Sequence, residues 1–405
     1  MSSSPPVTTI LDRQALFATL AGICASLVGI GLARFAYTPL IPALIEQHWF
    51  PATSVVTLAA ANFAGYLVGA VSGRPLATRL GNHHALRWLM VAASIAFIAC
   101  AWPLSVGWFF VWRFISGVAG GAIMILVATT ILPHIPAVRR GFVSGMIFLG
   151  LGAGIAASGT LVPELLHLGL QQTWLGLGGV SLLLTAISWF GWPTTSAPAS
   201  SAGPSAVHRQ HSALSLKLLY AQYAANALGI VPAMMLLVDF IARGLHQGAM
   251  TGARYWVLYG LAAIVGPVIC GQTADHIGFR TAYRLALLLQ LMAAALLAFS
   301  QSNLSLIVAT VILGAFTPGI VPLVLGRIHE LIPHDHGQQR AAWSRATTAF
   351  ALFQAIGGYG YSFLFSHFQQ NYQLIFAVGG AALLLALTAD FIRLSDRAEP
   401  CAAAG

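Results

Sequence analysis

Twelve stretches of this chain are each apolar for about 20 residues, which at 1.5 Å of rise per residue is the length of helix that crosses the hydrocarbon core of a bilayer. They fall near residues 15–41, 52–77, 86–103, 106–132, 141–163, 169–192, 215–242, 252–274, 281–300, 304–330, 343–365 and 371–393. In lipid the backbone must satisfy its own polar groups, and runs of this length do so only as helices. The expected fold class is therefore all-α integral membrane with twelve transmembrane helices, the third and ninth spans being the weakest. Only 7% of the residues are charged, against about 25% in soluble domains.

Residues 193–212, PTTSAPASSAGPSAVHRQHS, form a Ser/Pro/Ala-rich linker between the sixth and seventh spans. The expected organisation is an N-terminal cytoplasmic tail (1–14), a six-helix bundle (15–192), a cytoplasmic linker (193–214), a second six-helix bundle (215–393) and a cytoplasmic C-terminal tail (394–405). The halves echo one another: Pro133-His134 with Arg140 recurs as Pro333-His334 with Arg340, Gly81 with Arg87 as Gly278 with Arg284, and Gly29-Ile30 as Gly229-Ile230. Such duplication with a site between the repeats is a transporter pattern.

A cytoplasmic N-terminus leaves only Arg243 and Arg254 outside and three arginines, Arg34, Arg113 and Arg327, within spans. The other basic residues fall inside, so the net charge of +9 is read as the positive-inside rule rather than as a nucleic-acid surface. The polar N-terminal tail leads into a run longer than a signal-peptide core and is expected to stay attached. Both termini are expected in the cytoplasm, with the protein a monomer in a bacterial inner membrane. Cys24, Cys100, Cys270 and Cys401 share no CxxC spacing and read as packing residues.

Arg34 lies in the run GIGLARFAYTPLIP (29–42). A charge at the bilayer centre costs roughly 2.5 to 3.5 kcal/mol on insertion scales and persists where it faces a bundle interior or a water-filled cavity. Tyr37, Thr38, Asn62, Tyr66, Asn226 and Gln354 are polar groups within spans, read either as substrate contacts or as hydrogen bonds between helices. Arg327 and Glu330, three apart, permit an ion pair on one helix face. His334-Asp335-His336 and His83-His84 read as solvated turns rather than metal sites. No HExxH, GxSxG or P-loop spacing occurs, so no enzymatic activity and no cofactor are expected.

Residues 271–280, GQTADHIGFR, resemble the G-x-x-A-D-x-x-G-x-R signature of the major facilitator superfamily, and residues 113–121, RFISGVAGG, its R-x-x-x-G-x-x-x-G pattern. The run 29–42 together with ANFAGY (61–66) resembles the YbfB/YjiJ-type branch of that superfamily. The resemblance implies two pseudo-symmetric six-helix bundles, with the first, fourth, seventh and tenth spans lining a cavity. It also implies a gating latch at Asp275, Gly278 and Arg280, with Arg79 and Gly81 as the first-half counterparts and no acid at the matching position there. Arg327 joins this gating group.

On that fold Arg34 and Arg113 are two cations at similar depth, which suits an anionic substrate. Asp239 is read as a proton carrier, as the partner of an arginine across the halves, or as a rim residue. Glu330 is a second proton-coupling candidate. The functional expectation is a secondary active transporter of a small, anionic, organic solute by alternating access, coupled to protons. A multidrug/proton antiporter is the first alternative, weakened by the absence of a Gly-Pro signature in the fifth span. A transporter-like membrane sensor or integral-membrane enzyme is the second.

Overall fold

A computed structural model describes residues 13–136, 139–193, 211–333 and 335–395, with side chains described except at 211–213, 336 and 390–395. Twelve long helices follow one another: α1 (Arg13–Glu46, interrupted), α2 (Ala52–Leu80), α3 (Asn82–Ala99), α4 (Val106–Ile131), α5 (Arg140–Leu166), α6 (Leu170–Ser188), α7 (His211–Asp239), α8 (Ala249–Ile277), α9 (Phe279–Phe299), α10 (Asn303–Leu331), α11 (His336–His367) and α12 (Tyr372–Ser395). Among the described residues ten are long and apolar enough to span a membrane. Of the two expected to be weakest, α9 meets that measure and α3 does not. The other that falls short is α11, whose first half carries Gln338, Gln339, Arg340 and Arg345.

Helix ends differ from the apolar windows because capping, not hydropathy, sets them. Ser105, Ser302 and Asp335 accept hydrogen bonds from the backbone N–H groups of Trp108, Ser305 and Gln338, and so start α4, α10 and α11. Asp335 is thus an N-cap, while His334 lies outside the described residues. His83 and His84, expected in a turn, occupy the first turn of α3 with their rings 4.0 Å apart. The linker at 194–210 also lies outside the described residues.

The stretch 271–280 is helical except at one residue. α8 runs to Ile277, α9 begins at Phe279, and Gly278 alone joins them at φ +80°. Gly81 joins α2 to α3 in the same way at φ +81°. Each glycine donates its N–H to the ending helix, to Ala77 and Ala274, and offers its C=O to the next, to Ala85 and Ala282. Only glycine adopts this conformation without strain. The side of the molecule that carries these turns is termed the joint face.

Small residues fix the depth at which helices cross. A Cβ at Gly69 or Gly117 would strike the carbonyl oxygen of Val118 or Asn62, so α2 and α4 are in backbone contact. Gly266 and Gly314 lock α8 against α10 in the same way, meeting the carbonyls of Ala315 and Tyr259. Both pairs are related by the offset of 197 that separates Gly81 from Gly278, so the repeat read in the sequence is a repeat of packing.

Between the halves, α5 packs on α8 at Gly152 against Ile264 and at Gly159 against Val257, and α11 meets α2 at Gly358 against Ala60 and Phe63. Towards the joint face a Cβ added at Gly141, Gly145 or Gly271 would meet nothing within 4 Å. The close glycine contacts between the halves therefore lie from mid-depth to the face opposite the joints.

Candidate functional site

α1 positions the site by failing to be a regular helix. Leu27–Leu32 forms a π-turn, and the helix stops at Ala36 before resuming as Tyr37–Glu46. Pro39 accounts for the break, since its ring excludes the carbonyl four residues back, at Phe35. Gly31 in the π-turn lies against Gly154 of α5 with no room for a Cβ, so Ala33 to Phe35 are pressed into the interior. π-turns of this kind recur at functional sites.

Arg34 is 8% exposed and Arg113 2%. The Arg34 guanidinium lies 4.7 Å from the ring centres of both Phe63 and Tyr66, and 5.5 Å from that of Phe35. These faces offset part of its desolvation by about 0.5 to 2 kcal/mol each. Its Nε and Nη2 have no hydrogen-bond partner. Arg113 donates from Nη1 to the Ala33 carbonyl at 2.9 Å and lies 4.4 Å from the Tyr37 ring centre, while its Nε is without a partner. Asn62 stands between α1 and α4, its amide within reach of the Ala33 and Arg113 carbonyls and of Ser116 Oγ.

The two arginines line one cavity of about 10 Å³ with Phe35, Tyr37, Thr38, Ala59, Phe63, Met234 and Met235, space for about one water. No carboxylate is in that lining, and among the described residues no ion pair involves either arginine. Thr38 donates to the Met234 carbonyl at 2.7 Å and Tyr37 to the Val55 carbonyl at 2.9 Å, so both hydroxyls are engaged in holding helices. Thr38 links the two halves across the cavity. Gln354 donates to the sulfur of Met234 at 3.6 Å and is 1% exposed, so it reaches the cavity through that side chain.

Other expected site residues lie elsewhere. Asn226 pairs with Gln290 of α9 and so faces the scaffold, not the cavity. Asp239 is fully buried but holds neither Arg34 nor Arg113. Its two oxygens accept from Nε and Nη2 of Arg243, one turn on in the π-turn Phe240–Gly244 that continues α7, at 2.6 and 2.7 Å, and Tyr372 of α12 donates to it at 2.7 Å. The spacing of four residues outcompetes a partner across the interface. Arg327 and Glu330 form their ion pair at the joint face, where Glu330 also accepts from the Phe279 N–H beside Gly278. Asp275 is exposed in the last turn of α8, Arg280 is half-buried in the first turn of α9, and Arg79 is exposed at the end of α2.

Sequence reasoning missed Phe35, Phe63, Met234 and Met235. Phe35 and Phe63 adjoin residues already singled out, Arg34 and Asn62. The methionines carried no signal in a chain so rich in apolar side chains. Beyond them an aromatic shell continues through Trp256, 6.1 Å from Phe35 and stacked at 4.8 Å on Tyr259. Trp256 donates to Ser158 at 3.1 Å.

A family profile described as uncharacterised MFS-type transporter YbfB matches residues 26–391. A gallate transporter of Pseudomonas putida is 26% identical over 272 residues, 58% of this chain and 61% of the relative. The 4-hydroxybenzoate transporter PcaK of the same species is 27% identical over 171 residues, 41% of this chain and 37% of its own length. The chain thus spans less than two thirds of these relatives. Among solved structures, a D-xylose–proton symporter superposes with a TM-score of 0.70 at 15% identity, covering 93% of this chain and 96% of its own. The xylose transporter XylE from E. coli, in a partially occluded inward-open conformation, superposes with a TM-score of 0.71 at 13% identity, covering 93% and 97%. These likenesses show the twelve-helix fold.

Proposed function

The chain belongs to the family of MFS-type transporters described by YbfB, and on that premise we propose that it is a secondary transporter of a small organic anion. The observation that carries this reading is the free edge of Arg34. Nε and Nη2 are the two donors with which an arginine grips a carboxylate side-on, and Arg243 uses these same two atoms on Asp239. Arg34 presents that edge in a buried cavity beside a second cation. A carboxylate there gains two charge-assisted hydrogen bonds and relieves the cost of a buried, unpaired charge.

The rings around Arg34 and the pair Met234 and Met235 suit an apolar body behind the carboxylate. Gallate and 4-hydroxybenzoate, named for the two relatives, are aromatic carboxylates of this shape. Tyr37, Thr38, Asn62, Tyr66 and Gln354 complete the chamber. The two bundles rock about it, the joint face is the cytoplasmic one, and Gly81, Gly278, Asp275, Arg280, Arg79 and Arg327 belong to the gate on that side. The test is binding and flux with purified protein. Aromatic monocarboxylates are expected to raise the unfolding temperature and to be carried by proteoliposomes, whereas their methyl esters are not. Equal stabilisation by acid and ester overturns the reading.

A further inference from the structure

We propose that this transporter is an obligate anion exchanger: it changes sides readily with an anion bound and slowly without one. The inference rests on the anion site just described and adds how transport is driven. The cavity holds two guanidiniums and no carboxylate. Glu330 is at the joint face with Arg327 and the Phe279 N–H, and Asp239 is gripped by Arg243 and Tyr372 beyond the cavity. Neither neutralises Arg34.

The site is also closed around the charges. Thr38 of α1 is bonded to the Met234 backbone of α7, and the lining leaves room for about one water. Changing sides takes Arg34 through such a closed arrangement, in which a bare guanidinium edge has room for about one water and no counter-charge. A bound carboxylate supplies the counter-charge and lowers that barrier. Among the described residues no carboxylate lines the cavity to take the substrate's place, so the return step needs another anion.

The test uses the full chain in proteoliposomes. Gallate, 4-hydroxybenzoate and succinate are screened by thermal shift, and the most stabilising one is radiolabelled and loaded inside. Release into buffer containing the unlabelled anion is expected to be at least about tenfold faster than release into anion-free buffer, a barrier difference of about 1.4 kcal/mol. An inward proton gradient is expected to drive no accumulation into vesicles that contain no anion. Equal release rates, or proton-driven accumulation, overturn the exchange mechanism while leaving the anion site standing. If no anion of the panel stabilises the protein or crosses, the anion site falls and exchange falls with it.

A pair of variants tests the charge argument. Met234→Glu places a carboxylate in the lining and is expected to bring net release to within about threefold of exchange, whereas Met234→Gln, of similar size, keeps the gap. A gap of the same size in both overturns the argument. Should Met234→Glu not fold, the wild-type release rates decide.

Discussion

In the first half, α1 and α4 carry Arg34 and Arg113, both in the half of the molecule away from the joint face. In the second half, the offset of 200 that relates Gly29-Ile30 to Gly229-Ile230 places Met234 at the position of Arg34, and the offset of 197 places Thr310 at that of Arg113. The backbones match more closely than the chemistry, since Gly69 with Gly117 and Gly266 with Gly314 give both halves the same close crossing. The one arginine near the end of α7, Arg243, is saturated by Asp239 and Tyr372. Duplication thus kept the packing and polarised the charge. One wall of the cavity carries two guanidiniums and the other sulfur and hydrocarbon.

The comparison breaks most sharply at Arg34. Arg34→Gln is expected to lower anion transport by about 10² to 10³-fold, in line with the 3 to 5 kcal/mol of a broken buried charge pair, while unfolding temperature stays equal or rises because an unpaired charge has gone. Arg113→Gln should cost about tenfold less than that, because its guanidinium also serves the Ala33 carbonyl; kinetics of both variants in one vesicle preparation would rank them. Gly69→Ala and Gly266→Ala are expected to destabilise by similar amounts, about 1 to 3 kcal/mol each by overpacking. Thermal unfolding in detergent reads this, and a loss confined to one of them would show that the halves are not packed alike.

Asp239→Asn marks the small end of the range. It leaves Arg243 short of a partner at the far end of α7 and is expected to cost about 1 to 3 kcal/mol of stability with only a few-fold loss of transport. Abolished transport at unchanged stability would move a functional charge into the second half and undo the polarity argued above.

The fold was largely legible because lipid leaves the backbone few choices and twelve apolar runs declare themselves. Gly81 and Gly278 were legible as matching positions of the two halves, but that a single residue joins the helices there was not, since the helices continue through polar ends such as Thr78 and Arg79. Arg34 and Arg113 stood out by the cost of their charge. Their company did not: Phe35, Phe63, Met234 and Met235 are ordinary apolar letters until the folding of α1, with its π-turn and its break at Ala36, chooses which of them face inward. Asn226 and Asp239 show the converse. A polar residue in a span declares that it needs a partner without declaring which one, and Gln290 and Arg243 were nearer than the cavity.

The one-residue joints at Gly81 and Gly278 carry a mechanical consequence. Adjacent Cα atoms are about 3.8 Å apart, and both peptide groups of each glycine are already hydrogen-bonded into the flanking helices, so neither joint has slack to take up sliding. α3 must travel with α2, and α9 with α8. A tilt of α2 or α8 would therefore be passed to its neighbour across a single residue.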